Sequence, residues 1–169
     1  HRRAPVTLAS GEVVDYGLVG DIDGIDGTVI TRLLDSGFLP VVSPLSCDNS
    51  GQLLNINADT VAAAIGGALV AEKLILCTGA PGILERLDDP HSLISYTGLR
   101  RLREKGAITD GMLPKSSAIE AAIRGGVRRV HVISYAETDS LLAEIFTNEG
   151  KGTLVVADTK ALTAAEQGQ

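Results

Sequence analysis

The stretch Leu54-Asn55-Ile56-Asn57-Ala58-Asp59-Thr60, running straight into Val61-Ala62-Ala63-Ala64-Ile65-Gly66-Gly67-Ala68-Leu69, decides how the rest of the sequence is read. Polar and apolar residues alternate in its first half, which is the period of an extended chain, so Asn55 and Asn57 share one face and Ile56 takes the other. The second half abandons that period. Ala58 to Leu69 is small and apolar on nearly every side, as expected of a helix covered from more than one direction, and Asp59 falls near its first turn.

Upstream, Asp48-Asn49-Ser50-Gly51 is a turn signal, and the return along Gln52 to Ile56 predicts a hairpin. Phe38-Leu39-Pro40-Val41-Val42-Ser43 reads as a buried strand. Thr28 to Ser36 reads as a helix capped by Thr28, with Ile30, Leu33 and Leu34 as its stripe and Gly37 closing it. Asp21 to Gly27 resembles a calcium loop but lacks the oxygen spacing and the closing glutamate, and reads as turns. A short hairpin around Gly11 is expected.

Downstream, Lys73 to Cys77 is a continuous apolar strand ending in the glycine-rich turn Thr78-Gly79-Ala80-Pro81-Gly82-Ile83-Leu84. A helix from Ser92 or Thr97 to Lys105, the loop Gly106 to Lys115, a helix Ser116 to Arg124 and a strand Arg129 to Ser134 follow. A helix Thr138 to Phe146, capped by Thr138 with a stripe of Leu141, Leu142 and Ile145, and a strand Gly152 to Val156 complete the pattern. The tail, residues 158–169, is expected to fray. Strands alternating with helices predict an α/β three-layer sandwich with a mainly parallel sheet, residues 1–169 forming one domain.

Composition narrows the function. The formal charge is −6, from 21 acidic and 15 basic residues without a basic block, which argues against a sequence-independent grip on nucleic acid. No apolar run has the length of a membrane span, and no secretory signal pattern is present, so a cytoplasmic home is expected. Cys47 and Cys77 have neither metal spacing nor the density of a disulfide scaffold and read as ordinary buried or half-buried thiols. His1, His91 and His131 are scattered, so no metal ligand set is expected, and His131 reads as a satisfied core or edge residue. The chain opens at His1-Arg2-Arg3 without a methionine and reads as a piece cut from a longer polypeptide.

Two groups stand out chemically. Asn55, Asn57 and Asp59 serve either as turn and cap residues or as amides that read a substrate, beside a carboxylate that orients cations. Lys115, after Pro114 at a helix start, opposes the macrodipole, a breach with a purpose if that terminus holds a phosphate through amide N–H groups and a cation. The turn at Thr78 to Gly82 matches neither the dinucleotide fingerprint nor the P-loop, and there is no nucleophile elbow.

Taken in order, the words Tyr16-Gly17-Leu18-Val19-Gly20-Asp21, Gly37-Phe38-Leu39-Pro40-Val41-Val42, Gly51-Gln52 with Asn55-Ile56-Asn57-Ala58-Asp59-Thr60, Ala71-Glu72-Lys73-Leu74-Ile75-Leu76, Pro81-Gly82-Ile83-Leu84, Asp110-Gly111-Met112-Leu113-Pro114-Lys115 and Glu149-Gly150 with Gly152-Thr153 resemble the C-terminal part of the acetylglutamate kinases, within the amino-acid kinase family. They span nearly the whole chain. The resemblance implies the amino-acid kinase fold without its N-terminal half, and ATP-dependent phosphorylation of the γ-carboxylate of N-acetyl-L-glutamate in arginine synthesis.

It implies Lys115 and Asp59 as catalytic, Lys115 stabilising the transferring phosphoryl group and Asp59 organising the lysines, with Asn55 and Asn57 on the amino-acid substrate. Thr78, Gly79, Gly82, Ile83, Leu84, Ile108, Thr109, Gly111 and Met112 would line the ATP site, with magnesium carried mainly by the nucleotide and the full-length form a homo-oligomer. No segment before Asn55 matches the lysine, Gly-Gly turn and arginine of that family's first half. Thr78-Gly79 also stands where the family has Thr/Ser-Asp, removing a carboxylate near the phosphates. A non-catalytic nucleotide- or effector-binding module, or another amino-acid kinase, is the alternative.

Overall fold

The computed structural model describes residues 1–80, 82–83, 93–108, 110–147 and 151–162; Pro81, Leu84, His91, Ser92, Thr109, Glu149, Gly150 and the tail from residue 163, named above, lie outside them. Two antiparallel hairpins, β1 (Val6–Thr7) with β2 (Val13–Val14) and β3 (Leu45–Cys47) with β4 (Leu53–Asn55), lie on either side of helix α1 (Thr28–Asp35) in the chain. Then come α2 (Ala58–Ala68), β5 (Lys73–Thr78), β6 (Leu93–Ser95), α3 (Tyr96–Glu104), α4 (Leu113–Arg124), β7 (Arg129–Ser134), α5 (Ser140–Phe146) and β8 (Gly152–Val156). A 3-10 turn, Asp110–Met112, leads into α4, and another, Thr159–Ala161, follows β8.

The central sheet has the order β5-β7-β8-β6. β5 and β7 are parallel, as are β6 and β8, while β7 and β8 are antiparallel, so the sheet is mixed and mostly parallel. Alternation along β7 sets the layers. Val130 and Val132 are wholly buried in a cluster with Ala63 of α2, Leu99 and Leu102 of α3, and Ala118, Ile119 and Ala122 of α4. His131, between them, turns to the other face and meets Glu144 of α5. The expected three-layer sandwich is therefore present, with α2, α3 and α4 on one side and α5 on the other.

The small residues of α2 find their reason here. A Cβ on Gly67 would stand 3.3 Å from the Cα of Gly125, one on Gly125 would stand 3.1 Å from the Cα of Gly67, and one on Gly66 would meet Val127 at 3.2 Å. The C-terminal ends of α2 and α4 thus touch backbone to backbone, and their N-terminal ends are joined by Asp59 and Lys115. The two helices run side by side in the same direction.

Several expectations are corrected. Residues 38–43 form no strand; Leu39 and Val41 are 87% and 93% exposed, because no described strand lies alongside to take their hydrogen bonds or cover their side chains. α1 buries none of its residues, leaving Leu33 and Leu34 exposed, and Thr28 is not its cap: the Asp26 carboxylate accepts the Thr28 N–H at 2.9 Å. Residues 93–95 are a strand, β6, and the helix after it starts at Tyr96, capped by Ser95, whose hydroxyl accepts the Gly98 N–H at 3.0 Å.

Helix α4 starts at Leu113 rather than Ser116. α5 begins after Asp139, which has φ 59°, and Thr138 makes no cap; it buries Ser140 and Glu144 and exposes Leu141, Leu142 and Ile145. Both cysteines are exposed rather than buried, Cys77 on the face of β5 opposite that of the buried Leu76.

Candidate functional site

The alternation read in Leu54 to Asn57 is present: Leu54 and Ile56 are buried, Asn55 and Asn57 exposed. The backbone of Asn55 is held by two bonds, its N–H to the Leu18 carbonyl at 2.8 Å and its carbonyl from the Gly20 N–H at 2.9 Å, so the exposed side chain stands on a fixed base. Asn57 is the N-cap of α2, its side-chain oxygen accepting the Thr60 N–H at 3.0 Å. With the cap position filled, Asp59 is one helical step inside, where its carboxylate is free to face across to α4.

It meets Lys115 there. Lys115 lies in the first turn of α4, which starts without a side-chain cap and with Pro114 beside it. Its ammonium donates to Asp59 Oδ1 at 2.8 Å and to the Cys77 carbonyl at 3.3 Å. The lysine side chain is only 10% exposed and the aspartate 25%, so the pair is poorly screened by water. A lysine ammonium has three donors, and these two bonds aim the remaining one. The Cys77 carbonyl is a partner that side-chain reasoning missed, because it is main chain.

Cys77 also locates the site in the fold. β5 ends at Thr78, level with Ser134 at the end of β7, so Lys115 stands at the carboxyl edge of two parallel strands, where open α/β sheets take ligands. Thr78 and Gly79 are at that edge; the Thr78 hydroxyl accepts the Ala80 N–H at 3.4 Å. The turn comes back to the sheet at Ile83, whose N–H donates to the Thr153 hydroxyl at 2.9 Å while that hydroxyl donates to the Ile83 carbonyl at 3.1 Å. Thr153 is opposite Val132, near the carboxyl end of β7, so Gly82 and Ile83 return to the same edge. Gly111 and Met112 lie in the 3-10 turn that leads into α4, one turn of chain before Lys115. The side chains of Ile83 and Ile108 are buried in the core, so any contact they make with a ligand is through backbone.

The acidic residues of the turn at Asp21 to Asp26 are spent locally. Asp21 pairs with Arg3 and Asp23 with His1, while Asp26 holds the start of α1. The Arg3 guanidinium holds the Asp21 carboxyl below the usual carboxylate range.

Fold and site together define an α/β protein with a lysine–aspartate pair at the carboxyl edge of its sheet. The chain belongs to the amino acid kinase family, whose model matches residues 3–134. It is 43% identical to the acetylglutamate kinase of Myxococcus xanthus over 99% of this chain and 57% of the relative, and 44% identical to that of Archaeoglobus fulgidus over 91% and 55%. The chain spans about half the length of the curated relatives it matches. The solved N-acetylglutamate synthase from Neisseria gonorrhoeae, complexed with coenzyme A and L-arginine, aligns with TM-score 0.79 and 29% identity over 92% of this chain and 36% of its own. Carbamate kinase from Giardia lamblia bound to AMP-PNP aligns with TM-score 0.61 and 20% identity over 78% and 44%, a likeness of fold.

Proposed function

We propose that this chain is the nucleotide-binding part of an enzyme that transfers the γ-phosphoryl group of ATP to the γ-carboxylate of N-acetyl-L-glutamate, a step of arginine synthesis. The observation that carries this reading is the nearly buried ion pair of Lys115 and Asp59 at the carboxyl edge of β5 and β7. The relatives that match along nearly the whole chain support the choice of acceptor.

Phosphoryl transfer asks for positioning and for cations on the equatorial oxygens rather than for a covalent partner. Lys115 supplies such a cation, and its remaining N–H donor meets the charge on the phosphoryl group as the acceptor oxygen attacks and the β–γ bridge oxygen leaves with ADP. Asp59 fixes the ammonium and keeps the buried charge balanced. Asn55 and Asn57 present amides to the substituents on the amino-acid carbon. Thr78, Gly79, Gly82, Ile83, Ile108, Gly111 and Met112 line the nucleotide, which brings magnesium with it. The same reading puts the enzyme in the cytoplasm, as a homo-oligomer at full length.

ADP formation with MgATP and a panel of acceptors tests it, in a protein carrying this chain at the full length of its relatives. N-acetyl-L-glutamate is expected to support turnover and L-glutamate or carbamate is not. Turnover with carbamate or L-glutamate instead would overturn the acceptor.

A further inference from the structure

We propose that Tyr135 is a nucleotide-binding residue, its phenol hydroxyl taking the space of a side chain at position 79 and donating a hydrogen bond to the nucleotide's polyphosphate. This rests on the nucleotide site proposed above. β5 and β7 end level, Thr78 opposite Ser134, so the next residues of each, Gly79 and Tyr135, emerge side by side at the carboxyl edge. The Tyr135 N–H donates to the Thr78 carbonyl at 2.9 Å, which fixes the tyrosine backbone to the end of β5.

The side chain then leans over the neighbouring strand. A Cβ built on Gly79 would lie 2.8 Å from the Tyr135 hydroxyl and 3.3 Å from Cζ, so the phenol already fills the room that any residue but glycine would claim. Tyr135 is nevertheless 73% exposed, and this position is not accounted for by burial of its ring. Its polar end stands at an open edge beside Gly79, two residues on from Cys77, whose carbonyl receives Lys115 at 3.3 Å. The ammonium is already matched by Asp59, so what the hydroxyl adds is a neutral donor, suited to an oxyanion. The rule that marked the turn after β5 applies equally to Ser134-Tyr135 after β7.

Calorimetric titration of MgATP and of adenosine into the wild type, Tyr135→Phe, Gly79→Ala and the double variant tests the proposal. The tyrosine tip is free to swing, so Gly79→Ala displaces it without unfolding the chain, which the melting temperature checks. Tyr135→Phe is expected to weaken MgATP roughly tenfold and leave adenosine unchanged. Gly79→Ala is expected to do the same, with the double variant no weaker than Tyr135→Phe alone. MgATP binding unchanged in Tyr135→Phe, an equal loss for adenosine, or additive losses in the double variant would overturn the role of the hydroxyl. A wild type that binds no MgATP would overturn the nucleotide site itself, and this inference with it.

Discussion

Lys115 Nζ lies 2.8 Å from Asp59 Oδ1, joining the first turns of two helices that run side by side in the same direction. A cation in the first turn of a helix is opposed by the macrodipole, and a nearly buried one also loses hydration. The aspartate in the first turn of α2 offsets both effects. Lys115→Ala is expected to lower kcat by roughly 10²- to 10³-fold, as for loss of one charge-stabilising donor. Steady-state kinetics on the folded variant checks this, and an unchanged kcat would remove Lys115 from the chemistry.

The same two helices approach backbone to backbone at their far ends. Gly67→Val would drive a branched side chain into the backbone of Gly125, whose Cα lies 3.3 Å from the first added carbon. The expected cost is about 1–3 kcal/mol of stability, read from denaturant unfolding. Gly67→Ala is less decisive, because its gain in helix propensity, about 1 kcal/mol, opposes the contact.

Glu144 gives the chain an acid-sensitive element. Burial pushes its carboxyl up, but the hydrogen bonds from His131 and the Lys151 N–H, with the charges of His131 and Lys73, outweigh burial and hold it below the usual glutamate value. The His131 Nδ1 to Glu144 Oε1 distance is 2.5 Å and the Lys151 N–H to Oε2 distance 2.7 Å. A depressed carboxyl contributes stability that is complete above the unfolded value, about 4.3, and is lost as pH falls toward the folded one. Wild-type stability should therefore drop below about pH 4.3, and Glu144→Gln should flatten that drop while lowering stability at neutral pH. Thermal unfolding across that range measures both, and identical pH profiles would contradict the assignment.

Apolar residues of the first third divide sharply. Leu54 is 1% exposed whereas Leu39 and Val41 are 87% and 93% exposed. In this chain Leu54→Ala should cost about 2–5 kcal/mol, and Leu39→Ser with Val41→Ser should each stay within about 0.5 kcal/mol. Chemical denaturation of the three variants is the check; a large loss at Leu39 or Val41 would show that the segment is covered.

What was legible followed from local period and turn chemistry. The hairpin about Asp48 to Gly51, the helix from Ala58, the strands β5, β7 and β8 and the alternation of Leu54 to Asn57 all carry their pattern within a few residues. Asp59 and Lys115 are joined in sequence only by the order of many short words, because 56 residues separate them. What was not legible depends on partners elsewhere. Phe38 to Ser43 has strand composition, yet no described strand lies alongside. Helix α5 shows a leucine stripe, but its orientation is set by a buried Glu144 with partners in β7 and at Lys151. Tyr135 over Gly79 is a contact between two strands that no linear pattern marks.

The most direct test of phosphoryl transfer at the Lys115–Asp59 pair is trapping of the acyl-phosphate product with hydroxylamine, in the full-length protein supplied with MgATP and N-acetyl-L-glutamate. The account predicts a hydroxamate that needs both substrates and falls at least a hundredfold in rate in Lys115→Ala, in line with loss of one charge-stabilising donor. Calorimetric binding of both substrates with no hydroxamate in the wild type would contradict it.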